Sequence, residues 1–236
     1  MKPKSVLPAV LFFAALAPSA RAEDAASASR DAIATTNRNA SPQWMANVGY
    51  RGSFISDSGM NAFSTKDYLA QFSLGASRNL LERGRFSFAP GIIWDYGGSS
   101  ATARGAQTSL SVHRLSIPLE ARYRVAPWLF IFVRTAPGVA SISTRVSDAS
   151  APAPLAKSGW VPVMDLSAGA AWRFARVNDR VGFWLTGEGG YGWSKSLALN
   201  LSPDLASDDP RHVAETDLGR LALRGGFVRF GAALSF

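Results

Sequence analysis

The 236-residue chain contains no cysteine. It can form no disulfide and offers no free thiol, which suits an oxidising compartment where a thiol would be a liability. Histidine is scarce too, at two residues, His113 and His212. No apolar run reaches the ~20 residues a membrane-spanning helix needs. The longest, from Val6 to Ala17, is twelve residues and is broken by Pro8. There is no glycine-rich phosphate loop, no zinc-ligand spacing and no nucleophile elbow. Those absences remove the commonest nucleotide-binding, zinc and hydrolase chemistries.

What is present begins with an export signature. Lys2 and Lys4 form a basic head, the apolar run follows, and Ala20-Arg21-Ala22 is a small-x-small cleavage site. Residues 1–22 read as a signal peptide and the mature chain begins at Glu23. Three of the 25 basic residues fall in that leader, leaving 22 against 17 acidic ones, a net +5. That balance makes no case for a nucleic-acid partner. Residues 23–43 are Ala, Ser, Asn and charge, the composition of a flexible arm.

From Trp44 the texture changes. Eight stretches alternate apolar and polar residues: 44–56, 66–78, 84–97, 107–125, 127–146, 159–174, 181–198 and 217–236. The first, third, fifth and seventh connections are longer and polar: "SDSGMNAFST", "GGSSATARGA", "VSDASAPAPLAKSG" and "NLSPDLASDDPRHVAET". The others, "RNLLERGR", "VAPW" and "ARVNDR", are tight. Taking turns in this way puts loops at one end of a sheet and hairpins at the other, an all-β, up-and-down antiparallel meander.

Successive strand side chains point to opposite faces, so parity sorts them. One face carries large apolar groups, as in Tyr68, Phe72 and Leu74, or Trp160, Met164, Leu166 and Trp172. The other is glycine, serine and charge. Trp and Tyr gather towards strand ends: Trp44, Trp94, Tyr96, Tyr123, Trp128, Trp160, Trp172, Tyr191 and Trp193. Trp160 and Trp172 share a face twelve residues apart. At ~3.3 Å per residue and about 45° of tilt they are roughly 28 Å apart along a membrane normal, close to the apolar band between the aromatic girdles of a membrane barrel. The last strand, "RGGFVRFGAALSF", puts Phe230, Leu234 and Phe236 on the apolar face.

Signal peptide, eight amphipathic strands, alternating loops and turns, and a final strand ending in Phe236 resemble the small eight-stranded outer-membrane β-barrels of Gram-negative bacteria. The resemblance covers 44–236 as architecture and matches no subfamily motif. It implies an eight-stranded antiparallel transmembrane barrel in the outer membrane, monomeric, with no periplasmic domain after it. It implies outer-membrane lipids and lipopolysaccharide as surroundings. It implies that Phe230, Leu234 and Phe236 form the signal read by the barrel assembly machinery. Hairpins and N-terminus are then periplasmic, and the long loops face outside.

Nine charges have inward parity: Arg51, Asp95, Glu120, Arg122, Arg134, Asp165, Arg173, Glu188 and Arg229. Eight strands enclose a space about wide enough for side chains to fill, so these predict a packed, polar lumen whose charges pair. His113 is the one residue that invites a catalytic reading, since some small barrels modify lipid A through a histidine, a serine two residues on and an acid. Here Ser111 precedes His113 on the same face, Ser116 has inward parity and no outward acid is near. No catalytic, cofactor or metal residue is therefore assigned. Asp204, Asp208, Asp209, Glu215 and Asp217, with Arg211 and His212, share the fourth loop but fit no calcium-loop spacing. Arg220 and Arg224 lie where lipopolysaccharide phosphates would be, and Arg78, Arg83, Arg85, Arg176 and Arg180 line the hairpin end. The favoured function is a non-enzymatic outer-membrane barrel contributing to envelope integrity or surface contact through its loops. The alternatives are a lipid A-modifying enzyme and a narrow channel or carrier.

Overall fold

The structure is a computed structural model that describes residues 43–103, 106–148, 154–177, 181–203 and 216–236. The signal segment, and the arm apart from Gln43, lie outside the described residues. Alternating sequence gives strands throughout: β1 (Trp44–Ile55), β2 (Tyr68–Arg78), β3 (Leu81–Arg83), β4 (Phe86–Ala103), β5 (Ala106–Ser116), β6 (Leu119–Ala126), β7 (Leu129–Asp148), β8 (Leu155–Arg176), β9 (Gly182–Ser194), β10 (Leu197–Pro203), β11 (Thr216–Leu221) and β12 (Gly225–Ser235).

These make eight wall strands. β5 and β6 are one wall strand interrupted at Ile117-Pro118, where proline lacks a ladder donor. β9 with β10, and β11 with β12, are likewise interrupted, and β3 is a stub in the hairpin before β4. Neighbours pair antiparallel all the way round. β12 pairs β1 from Ser235↔Met45 to Gly225↔Ile55, which closes the ring. Trp44 N donates to Phe236 O at 2.9 Å and Phe236 N to Trp44 O at 3.0 Å, so the last residue lies in the seam. A closed ring leaves no open sheet edge in hydrocarbon.

The loop end differs from the expectation. Of "GGSSATARGA" only Arg104 and Gly105 fall between β4 and β5, which pair up to Ala103↔Ala106. β7 and β8 likewise pair up to Val146↔Leu155, and β10 pairs β11. In "GGSSATARGA" and "VSDASAPAPLAKSG" most of what reads as polar loop is polar strand, because a strand with water on its outer face has the composition of a loop. The wall therefore rises high through β4, β5, β7, β8, β10 and β11 and stays low at β12, β1 and β2. The β1–β2 connection fills the notch with a 3-10 turn, Ser58–Ala62, capped by Asp57, whose carboxylate accepts from Gly59 N at 3.0 Å. Ser99 Oγ and Thr108 Oγ1 donate to the carbonyls of Phe63 and Ala62. Met60 and Phe63 are thereby pressed inward and are fully buried.

The interior is layered rather than polar throughout. At the hairpin end Met45, Phe130, Phe132, Ala171, Trp184 and Ala233 form an apolar plug, with Trp184 Nε1 donating to Ser235 Oγ at 2.9 Å. At the loop end Met60 and Phe63 pack on inward Leu69, Val112, Ile142 and Leu221. The expected polar lumen is corrected to a polar middle between two apolar stoppers. Inward parity carries aromatics and aliphatics at both strand ends, where side chains must fill the space above and below the charges.

Candidate functional site

Inward parity and the stagger of the ring bring nine charged side chains into one alternating series. Arg122 Nε donates to Glu120 Oε1 at 2.5 Å. Arg134 bridges Glu120 and Glu188. Arg229 contacts Glu188 at 3.3 Å and Asp95 at 3.0 Å. Arg51 lies 3.7 Å from Asp95 and 2.5 Å from Asp165, and Arg114 is 2.7 Å from Asp165. The order is Arg122–Glu120–Arg134–Glu188–Arg229–Asp95–Arg51–Asp165–Arg114. Every carboxylate sits between two guanidiniums, and the series begins and ends on arginine.

Burial makes this arrangement obligatory. The least buried of the nine side chains, Arg134, is only 11 % exposed. A buried charge must be paired and hydrogen-bonded, and the planar guanidinium fork serves two carboxylates at once. Serines and amides complete the set. Arg51 Nε donates to Ser53 Oγ, Arg114 Nε to Ser116 Oγ, Ser167 Oγ to Glu188, and Arg122 reaches Asn79 and Ser77. Inward aromatic faces cover the guanidiniums. Arg51 is 3.9 Å from the Phe227 ring centre, Arg134 4.9 Å from Phe132 and Arg122 5.1 Å from Phe130. Gly192 leaves the room: a Cβ there would come within 2.7 Å of Asp165 Oδ1.

Eight of the nine charges with inward parity join this series. Arg173 does not; it stands nearer the hairpin end with its guanidinium 5.4 Å from the Trp184 ring. Arg114 takes the ninth position and was not among the sequence candidates, although it shares the parity of Ser116. Phe130, Phe132, Trp184 and Phe227 were also missed as inward residues. Parity alone could have found all five.

The outer wall is apolar, with aromatic rows near both ends. Towards the hairpin end lie Trp44, Tyr123, Trp128 and Trp172, with the Tyr123 and Phe86 rings tilted against each other, 4.9 Å apart between centres. Nearer the loop end lie Trp94, Tyr96, Trp160, Tyr191 and Trp193. Phe54–Tyr68 and Phe174–Phe183 add pairs that the sequence reading omitted. Phe230 and Phe236 are exposed on the outside of β12, with Leu234 half-exposed beside them.

His113 stacks outward in one of these rows, 4.5 Å from Tyr96 and 6.2 Å from Trp94 between ring centres, in register with Ser141. Ser111 lies one outward position above it, and Ser116 is buried under Arg114. Lys195, Arg220 and Arg224 are exposed at the loop end, above Tyr191 and Trp193. Arg78 lies 5.3 Å over Trp44, and Arg83, Arg85 and Arg176 are exposed at the hairpin end. Asp217 accepts from Gly219 N. Arg180 and the rest of the fourth-loop cluster lie outside the described residues, among which no group of acids and histidines could hold a metal. A closed antiparallel ring of eight strands, apolar outside and charged within, has the build of an outer-membrane barrel.

No family model matches the chain, and no curated protein matches it. Among solved structures it is similar to Ail, the attachment invasion locus protein of Yersinia pestis, solved in complex with the heparin analogue sucrose octasulfate: TM-score 0.49, 12% identity, 84% of this chain and 100% of that one. It is similar to the outer membrane protease OmpT from Escherichia coli, with TM-score 0.47, 8% identity, and 84% and 99% covered. It is similar to the β domain of the Bordetella autotransporter BrkA, with TM-score 0.41, 12% identity, and 83% and 99% covered. At these scores and identities no activity passes from them to this chain.

Proposed function

We propose that this chain is a non-enzymatic outer-membrane barrel whose body is a sealed anchor and whose tall loop-end wall is its working surface. It contributes to envelope integrity or to contact at the cell surface. One observation carries this reading: the lumen is filled by a continuous ion-pair series capped by apolar layers at both ends. A conduit would have to break several buried pairs at once, each strongly coupled to the next. His113 lends no support to catalysis, because its described neighbours are the rings of Tyr96 and Trp94 rather than an acid.

In this reading the hairpin end is periplasmic and the monomer stands alone in the membrane. Lys195, Arg220 and Arg224, above an aromatic row, meet lipopolysaccharide phosphates through charge-assisted bonds. Phe230, Leu234 and Phe236 are what the assembly machinery reads. The test pairs two measurements. Planar-bilayer recordings of the refolded protein should show no conductance altered by Glu120→Gln or Arg134→Gln. Lipid A from cells with the protein, with His113→Ala, or with neither should give identical mass spectra. A conductance that follows those charges makes it a channel. An acyl change that disappears with His113→Ala makes it an enzyme.

A further inference from the structure

The buried series does not balance. Among the described residues the series holds five guanidiniums, of Arg51, Arg114, Arg122, Arg134 and Arg229, against four carboxylates, of Asp95, Glu120, Asp165 and Glu188, with Arg173 standing apart and only part-buried. A carboxylate in excess could take up a proton. A guanidinium in excess cannot lose one, and an uncompensated buried charge costs several kcal/mol.

The excess has a place to be met. A cavity of about 30 Å³ lies at the Glu120 end of the series, where Arg122, Arg134 and Arg229 line it against Glu120 and Glu188. The lining holds three guanidiniums and two carboxylates, with Arg229 shared with Asp95 beyond it. Thr186 and Asn47 also line it and supply neutral polar groups. Arg229 is 6 % exposed, and its Nε has no hydrogen-bond partner among the described residues. On this measure a water needs roughly 10–15 Å³. The space is therefore larger than one water and suits one halide, but not a polyatomic organic anion.

We propose that this cavity binds one small monovalent anion, chloride in ordinary media, held by Arg122, Arg134 and Arg229 as the missing counter-charge of the lumen. The site completes a structural network rather than forming part of a path, since apolar layers lie on both sides of it.

Bromide is the probe. Crystals of the detergent-folded chain in sodium bromide, measured at the bromine edge, should show one anomalous peak inside the barrel beside these guanidiniums. The unfolding midpoint, read by the heat-dependent gel shift, should rise by roughly 5–10 °C in saturating chloride or bromide over gluconate at equal ionic strength. Arg122→Gln makes the count four against four and should abolish that rise. An empty lumen in the bromide map overturns the proposal whether or not the midpoint moves, because halide is then acting elsewhere and water fills the space. Where Arg122→Gln does not fold, the map of the unaltered protein decides alone.

Discussion

Arg51 and Arg229 face each other across the closing seam of the barrel, in direct register on β1 and β12. Like charges opposite one another destabilise a sheet. Asp95, reaching in from β4, lies 3.7 Å from one and 3.0 Å from the other and is 1 % exposed. The seam therefore depends on a carboxylate two wall strands away. Asp95→Asn keeps the shape and removes the charge, leaving the two guanidiniums to repel in a dry site. The expected loss is about 3–5 kcal/mol, read as a lower urea midpoint for the refolded barrel. A change under about 1 kcal/mol would mean that the seam is solvated and the series is not a unit.

How far the sequence anticipated this arrangement depends on what kind of information each part needs. Ring closure comes only with the resemblance to small membrane barrels, whereas the apolar exterior and the inward side of Asp95, Glu120 or Arg229 follow from parity, which is local. The pairing does not. Asp95 lies in register with Arg114, yet Arg114 pairs with Asp165 and Asp95 with Arg229, because stagger and side-chain reach choose partners across the lumen. Arg114 itself was legible from the parity it shares with Ser116. Met60 and Phe63 sit in a loop with no periodicity, so nothing local marks them as a stopper. The polar strands above the membrane read as loops because water faces their outer side.

Gly192 should be intolerant of a side chain. Its missing Cβ is where Asp165 Oδ1 and Arg51 Nη2 approach, at 2.7 and 3.3 Å. Gly192→Ala is expected to cost about 1–3 kcal/mol by overpacking. Gly187→Ala is the control. There the new methyl meets the Phe230 ring at an ordinary 3.7 Å on the outer face, and stability should be unchanged or raised. Equal losses at both positions would show that glycine serves strand bending rather than the ion pairs.

The two apolar stoppers and the ion series can be separated by conductance. Phe63→Ala removes a fully buried ring from the loop-end stopper and should cost about 3–5 kcal/mol. Bilayer recordings of that variant should stay at baseline, because the charges beneath still fill the lumen. Adding both Arg134→Ala and Trp184→Ala, which loosens the charges and opens the hairpin-end plug as well, should raise conductance. A current from Phe63→Ala alone would make the loop stopper, not the charge series, the seal.

The surface pair offers a contrast. Arg124 Nη2 lies 2.6 Å from Glu82 Oε1 at the hairpin end, with side chains 21 % and 31 % exposed. Exposed pairs contribute about 0–1 kcal/mol and are screened by salt. Glu82→Gln should shift the urea midpoint little, and less still at high salt. Asp95→Asn should keep its effect there, since buried pairs are screened weakly.

Phe236 separates stability from assembly. Its bonds to Trp44 are made by backbone N and O, and its ring is half-exposed on the outside. Phe236→Ala keeps both bonds, so the barrel refolded in detergent should lose about 1 kcal/mol or less, in line with other exposed positions. Assembly in cells is a different matter if the terminal aromatic is part of what the insertion machinery reads. Membrane-inserted protein should then fall well below the unaltered level while the refolded variant unfolds at nearly the same urea concentration. Equal losses in both measurements would make Phe236 a structural residue of the seam, and equal retention would leave recognition to Phe230 and Leu234.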